Sequence, residues 1–112
     1  MKRVSSEPEL AQLLKDKPAV MLLFGGKDCG VCQVVKPKLA ALVRDEFPQM
    51  EAVYIDCQEA QALCAAQAVF SLPVLQLWFE GKRFDSFVKV FSLGSIREAV
   101  ERPYGLLFGP PA

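Results

Sequence analysis

Ala19-Val20-Met21-Leu22-Leu23-Phe24-Gly25-Gly26-Lys27-Asp28-Cys29-Gly30-Val31-Cys32 is the stretch on which the reading of this chain turns. It opens with an unbroken apolar run, the pattern of a strand buried on both faces of a parallel sheet, which Gly25-Gly26 breaks. Two cysteines follow at once. Beyond them, helical spacing predicts a helix from about Gly30 to Phe47, with Val31, Val35, Leu39, Leu42 and Val43 on one face. Pro37 lies inside that helix, removes the hydrogen bond to the Gln33 carbonyl and should kink it. Cys29 therefore stands where a helix opens, and there unpaired N–H groups and the positive end of the macrodipole stabilise a thiolate. A lowered pKa is expected for Cys29, with Cys32 more shielded about one turn inside. The arrangement fits attack by a Cys29 thiolate on a substrate disulfide, a mixed disulfide, and resolution by Cys32.

Upstream, Ser6-Glu7-Pro8-Glu9 has the form of a capping box, with Ser6 as N-cap and Glu9 reaching back. Leu10, Leu13 and Leu14 carry that helix until Lys17-Pro18 ends it, and Lys2-Arg3-Val4 is a candidate leading strand. Downstream, Ala52 to Ile55 predicts a second buried strand, Gln58 to Ala68 an Ala-rich helix, and Val74 to Phe79 a third apolar strand. Glu80-Gly81-Lys82 predicts a hairpin turn into a partner strand over Phe84 to Phe91. In that strand Phe84, Val88 and Val90 share one face, while Asp85 and Lys89 fall on the other. Ser95-Ile96-Arg97-Glu98 is a second capping box, opening a short final helix that Pro103 helps to stop. Helix crossovers between apolar strands imply a parallel sheet covered on both faces, to which the last two strands add an antiparallel hairpin. Trp78, the only Trp, is expected in the core.

The 112 residues are enough for one domain, 1–112, with a single core. A hydrophobic content of 52% with eight Phe predicts a packed interior. Basic and acidic residues balance at 13 each, which argues against a nucleic-acid or anionic membrane surface. No apolar run approaches the length of a membrane span. The polar stretch Met1 to Glu9 lacks the apolar region of a secretory signal, which points to the cytoplasm, where four cysteines are not expected as structural staples. The chain has no His, so Cys–His and Ser–His catalysis and His-containing zinc sites are excluded. A four-Cys zinc site would use Cys29, Cys32, Cys57 and Cys64, but the second pair is spaced C-x6-C rather than C-x2-C. No metal and no cofactor are expected; coincidental packing of core thiols is the remaining plain alternative.

With Cys29-Gly30-Val31-Cys32 on a strand-to-helix turn, Pro37 five residues on, Leu72-Pro73 before a strand and the Phe79-Glu80-Gly81-Lys82 hairpin, the chain resembles the thioredoxin family over nearly its whole length. The resemblance implies the thioredoxin fold: α/β, three layers α/β/α, with a central mixed sheet of four to five strands. It implies a cis Pro73 facing the dithiol and a Leu72 backbone that pairs with an extended substrate segment. Gly30, Val31, Leu72, Pro73 and Phe91 would then line the substrate groove. Protein disulfides are the implied substrates, with a reductase to recycle the dithiol.

The sequence also departs from the family. The Trp usual before the first Cys is Asp28, whose carboxylate would oppose a thiolate on Cys29 while Lys27 would favour it. The family's buried Asp falls on Leu23 and its partner Lys on Ala52, so the acid thought to move protons during resolution is missing. Val31 replaces the Pro between the cysteines, which by resemblance to family variants implies a less reducing couple. The Gly near the groove aligns with Phe91, a ring that either narrows the groove or packs on the sheet or final helix. A specialised partner set is expected.

Cys57 and Cys64 form a second pair, and Asp56-Cys57-Gln58 with Cys64 resembles thioredoxins that carry an accessory oxidisable pair. If both were helical, seven residues would hold them about 10 Å apart, beyond the ~7 Å Cα limit of a disulfide, so reduced thiols are expected unless the helix unwinds. A regulatory oxidation site is the alternative. The apolar stretch Tyr104 to Ala112 packs on its own domain or on a second copy, leaving a monomer or a weak homodimer open. The expected function is thiol–disulfide exchange on protein disulfides. A thioredoxin-fold binding or redox-sensing module with little turnover is the other reading.

Overall fold

A computed structural model describes residues 1–109. In chain order the elements are β1 (Lys2–Arg3), α1 (Glu7–Asp16), β2 (Ala19–Gly25), α2 (Gly30–Glu46) and β3 (Glu51–Asp56). They continue with α3 (Gln61–Ala66), β4 (Val74–Phe79), β5 (Lys82–Val88) and α4 (Leu93–Phe108). The five-stranded sheet runs β1-β3-β2-β4-β5, with β2 at its centre and buried along its whole length. Its side chains alternate between two cores, as a strand's period of two requires. Met21 and Leu23 join Leu39, Tyr54, Ile96 and Tyr104 under α2 and α4. Val20, Leu22 and Phe24 join Leu10, Val53, Ile55 and Leu63 under α1 and α3. This is the α/β/α layering and mixed sheet expected from the sequence.

One expected pairing is wrong. β2 runs parallel to β3, and β3 to β1, but β4 lies antiparallel to β2, with Phe24 opposite Val74. A six-residue α3 lies in the connection between β3 and β4. At ~1.5 Å per residue it rises only about 9 Å, and the chain stays near the edge where β3 ends, from which β4 starts. That edge is also where α2 begins.

Local chemistry explains most boundaries. The Ser6 hydroxyl accepts the Glu9 N–H at 3.3 Å, while Glu9 Oε1 accepts from Ser5 N, one residue earlier than a standard capping box. Gly25 extends β2 and the break falls at Gly26. Glu80 and Gly81 both have positive φ, 54° and 76°, the type I′ geometry that suits a tight hairpin. β5 starts earlier and stops sooner than predicted. A register shift opposite Leu77/Trp78 leaves Phe84 as an extra residue, so the simple alternation slips. Phe84, Val88 and Val90 are exposed, Val90 beyond the end of β5, and Phe87 packs on the first core. Trp78 is only half-buried; its Nε1 donates to Gln76 Oε1 at 2.9 Å.

The final helix also differs from expectation. Ser92, not Ser95, is its N-cap, accepting from Ser95 N at 3.1 Å. The helix passes through Pro103 to Phe108 because the buried face Ile96, Val100, Tyr104 continues across the proline. The apolar tail from Tyr104 is thus mostly α4, packed on its own sheet, and residues 110–112 lie outside the described residues. Arg97 donates from Nε and Nη2 to Glu46 Oε1 and Oε2 at 2.8 and 2.9 Å, tying α4 to the end of α2. This hydrogen bonding holds the Glu46 carboxyl below its usual range, so the pair's contribution is present above that range and lost as pH falls. No helix among the described residues is long and apolar enough to cross a membrane.

Ile96 is fully buried at the centre of the α4 contact. Ile96→Ala should lower stability by about 2–5 kcal/mol, read as a lower urea midpoint at unchanged m-value.

Candidate functional site

The carboxyl end of β2 delivers the chain to the dithiol. Cys29 is the N-cap of α2, with extended backbone (φ −95°, ψ 99°), and its sulfur accepts the Cys32 N–H at 3.2 Å. A donor of this kind at a helix N-terminus favours negative charge on the sulfur. Cys29 and Cys32 form a disulfide with Cα atoms 5.2 Å apart. The two ends of that bond are unequal: Cys32 is wholly buried and Cys29 partly exposed. A thiol arriving from solvent therefore meets Cys29. Gly30 and Val31 lie exposed beside it, so Val31 does not belong to the helix face that Leu39, Leu42 and Val43 bury.

The loop before Cys29 is held from the turn that follows β3. Gln58 Nε2 donates to Asp28 Oδ2 at 2.8 Å, and the Lys27 N–H donates to Gln58 Oε1 at 2.9 Å. Cys57 N donates to the Gly25 carbonyl at 2.8 Å, continuing the β2–β3 pairing by one residue. Gln33 Nε2 closes the loop from α2 by donating to the Gly26 carbonyl at 3.0 Å. Leu72-Pro73 is a cis peptide at the head of β4, and Pro73 is buried. The Leu72 side chain lies against Gly26: a Cβ there would meet Leu72 Cδ1 at 3.4 Å. Phe91, beyond the end of β5, is half-buried with its ring edge-on to Phe87 at 6.2 Å.

The four cysteines form two separate pairs, and the second corrects the expectation of reduced thiols. α3 begins only at Gln61, and Cys57 lies in a turn, so its Cα is 5.7 Å from that of Cys64 and the two are disulfide-bonded. The turn exists because Asp56 Oδ1 accepts from Gln58 N at 2.8 Å, diverting the backbone from the predicted helix start. Its carboxylate is buried, with Arg3 Nη2 at 3.5 Å.

Two residues of the site went unmarked in the sequence. Gln58 reads as an ordinary helix residue, and its reach to Lys27 and Asp28 depends on a long-range contact. Tyr54 reads as one of a run of strand residues. The signal that could have found it is Gly25, whose missing side chain leaves the space that the Tyr54 ring borders.

The model of the Thioredoxin family matches residues 3–102. The thioredoxin-like protein YdfQ of Bacillus subtilis is 28% identical over 81 residues, 72% of this chain and 71% of its own length. Thioredoxin of the sponge Geodia cydonium is 24% identical over 101 residues, covering 88% of this chain and 94% of its own. Among solved structures, an asparagine-to-glutamine mutant thioredoxin from Halobacterium salinarum superposes with a TM-score of 0.81 at 26% identity, over 89% of this chain and 87% of its own.

Mass spectrometry of a Cys29→Ser/Cys32→Ser protein under mild oxidant should find Cys57 linked to Cys64. Reducing that bond, which closes a loop of only seven residues, should lower stability by about 2 kcal/mol in urea titration. An unlinked pair would contradict the described turn.

Proposed function

The chain belongs to the thioredoxin family and is a thiol–disulfide oxidoreductase; on that premise we propose that Cys29 is its nucleophile and Cys32 its resolving thiol. The observation that carries the assignment is the asymmetry of the pair: Cys29 is the partly exposed N-cap sulfur with a donor on it, and Cys32 is buried. In the first step the Cys29 thiolate forms a bond to one sulfur of a substrate disulfide. The other substrate sulfur leaves as a thiolate and takes a proton from water. Cys32, as a thiolate, then attacks Cys29 Sγ, and the second substrate thiolate departs. The substrate gains two electrons and the protein closes its disulfide; exchange with a dithiol reductase restores it.

Protein disulfides fit this edge of the sheet. Gly30 and Val31 on one side, and Leu72, Pro73 and Phe91 on the other, form the groove in this reading, with the Leu72 backbone available to an extended segment. One domain spanning 1–112, acting as a monomer or weak homodimer in the redox homeostasis of the cytoplasm, completes the reading. A second, redox-sensing role for Cys57 and Cys64 draws support from Gln58: it adjoins Cys57 and holds Lys27 and Asp28, so opening that disulfide bears on the nucleophile's loop.

With dithiothreitol as electron source, the wild-type protein should reduce insulin, and Cys32→Ser should accumulate mixed disulfides that a further Cys29→Ser change abolishes. Partner capture unaffected by Cys29→Ser would favour a binding module instead. In the reduced protein, alkylation of Cys29 by iodoacetamide should rise with a midpoint below the ~8.5 of free cysteine. A midpoint at or above that value would mean that Asp28 outweighs the helix end.

A further inference from the structure

Leu23 occupies the position where a buried carboxylate would sit under the dithiol, and the polar group below Cys32 is the Tyr54 phenol. Tyr54 is 2% exposed and lies opposite Leu23 in the β2–β3 register. A Cβ on Gly25 would come within 2.9 Å of Tyr54 Oη and 3.0 Å of Cys32 Cβ. The hydroxyl and the resolving cysteine therefore border the same small space, open only because residue 25 has no side chain. From α2, Lys36 Nζ lies 4.1 Å from the Tyr54 ring centroid, and from β1 the Arg3 guanidinium lies at 5.7 Å. Asp56 and Glu59 complete the charged groups around the ring. Burial first, then the Asp56 carboxylate, pushes the phenol up; a hydrogen bond with Gln33 and the charge of Arg3 oppose the rise, and Glu59 adds to it. The phenol thus keeps its proton at neutral pH and serves as a donor rather than a base. Asp56, the other buried ionisable group nearby, is committed elsewhere: its Oδ1 accepts from Gln58 N, and its carboxylate faces Arg3.

We propose, on the reading that Cys29 and Cys32 exchange disulfides, that the Tyr54 hydroxyl donates a hydrogen bond to the Cys32 sulfur and stabilises the Cys32 thiolate. In resolution that thiolate bonds to Cys29 Sγ as the Cys29–substrate bond breaks. The electron pair leaves on the substrate sulfur, which takes its proton from water. Tyr54 keeps its own proton throughout. When a reductant thiolate attacks Cys29 Sγ in the oxidised protein, Cys32 is the leaving sulfur and the same donor meets its charge. The hydroxyl thus acts on the step that lacks a buried acid, from a different strand and with a neutral group.

The test is stopped-flow reaction of the reduced protein with Ellman's reagent in a Cys57→Ser/Cys64→Ser background. Release of the first thionitrobenzoate reports attack by Cys29, and release of the second reports resolution by Cys32. Tyr54→Phe keeps the ring and should slow only the second phase, by about ten-fold, the scale of one lost hydrogen bond to a charged group. The midpoint of the second phase in a pH profile should rise, while that of the first stays fixed. Gly25→Ala, which keeps the hydroxyl but fills the space beside it, should also slow the second phase. An unchanged second phase in Tyr54→Phe, or equal slowing of both phases, overturns the proposal and leaves Tyr54 as packing. If the background protein itself releases no thionitrobenzoate, the oxidoreductase reading fails, and this inference with it.

Discussion

Every working part of this molecule depends on the two-sided pairing of β2. Paired with β3 on one edge and β4 on the other, it has no free backbone edge, and its side chains fill both cores. In this chain the enclosed strand is apolar throughout, and Leu23 at its centre adds a methyl-rich side chain to the core rather than a charge. The same enclosure fixes where the strand ends. Gly25 pairs with Asp56 and Phe24 with Val74, so the turn of Cys57, the head of β4 and the start of α2 converge on one edge. The dithiol is placed by the sheet before any residue of the motif acts.

That convergence sets the electrostatics of the pair. Cys29 caps a helix and receives the Cys32 N–H, a local effect that needs no help from the rest of the fold. Asp28 adds a carboxylate next to it, but the carboxylate is not free to approach the sulfur, since Gln58 holds it through Oδ2. Cys32 lies on the other side of the bond, buried, with Lys36 one turn further along the helix and Tyr54 beneath. Cys29 is thus surrounded by exposed groups that solvent screens, and Cys32 by the buried Tyr54 and the half-buried Lys36, which it screens less. On the roles proposed above, changes at Asp28 and at Tyr54 act on different halves of one exchange.

Much of this was legible in the sequence. The apolar run from Ala19 and the dithiol after it led to the correct layers and the mixed sheet, because each is written in adjacent residues; the cis proline came through the family resemblance that Leu72-Pro73 helps to carry. What escaped depended on contacts between distant ones. Val74 to Phe79 looks the same in a parallel or an antiparallel strand, and only its pairing with β2 shows which it is. Gln58 to Ala68 carries helical composition, yet Asp56 takes the Gln58 N–H and shortens the helix from its start. Phe84, Val88 and Val90 share a face on paper, but Phe84 is the extra residue of a bulge and the strand ends at Val88, before Val90. Pro103 is an ordinary helix breaker until the buried stripe of Ile96, Val100 and Tyr104 outweighs it.

The shortness of α3 links these corrections to the chemistry. A full helix from Gln58 would have kept Cys57 and Cys64 about 10 Å apart and turned the Gln58 side chain with the helix rather than toward Lys27. Beginning at Gln61 instead, α3 leaves a turn in which Cys57 meets Cys64 and Gln58 meets the nucleophile's loop, and it lets Pro73 enter on the dithiol's edge. A single carboxylate, Asp56, buried beside Arg3 and accepting two backbone N–H groups, from Gln58 and Glu59, directs that outcome. Its role is to end a strand and delay a helix, and the placement of both cysteine pairs follows from it.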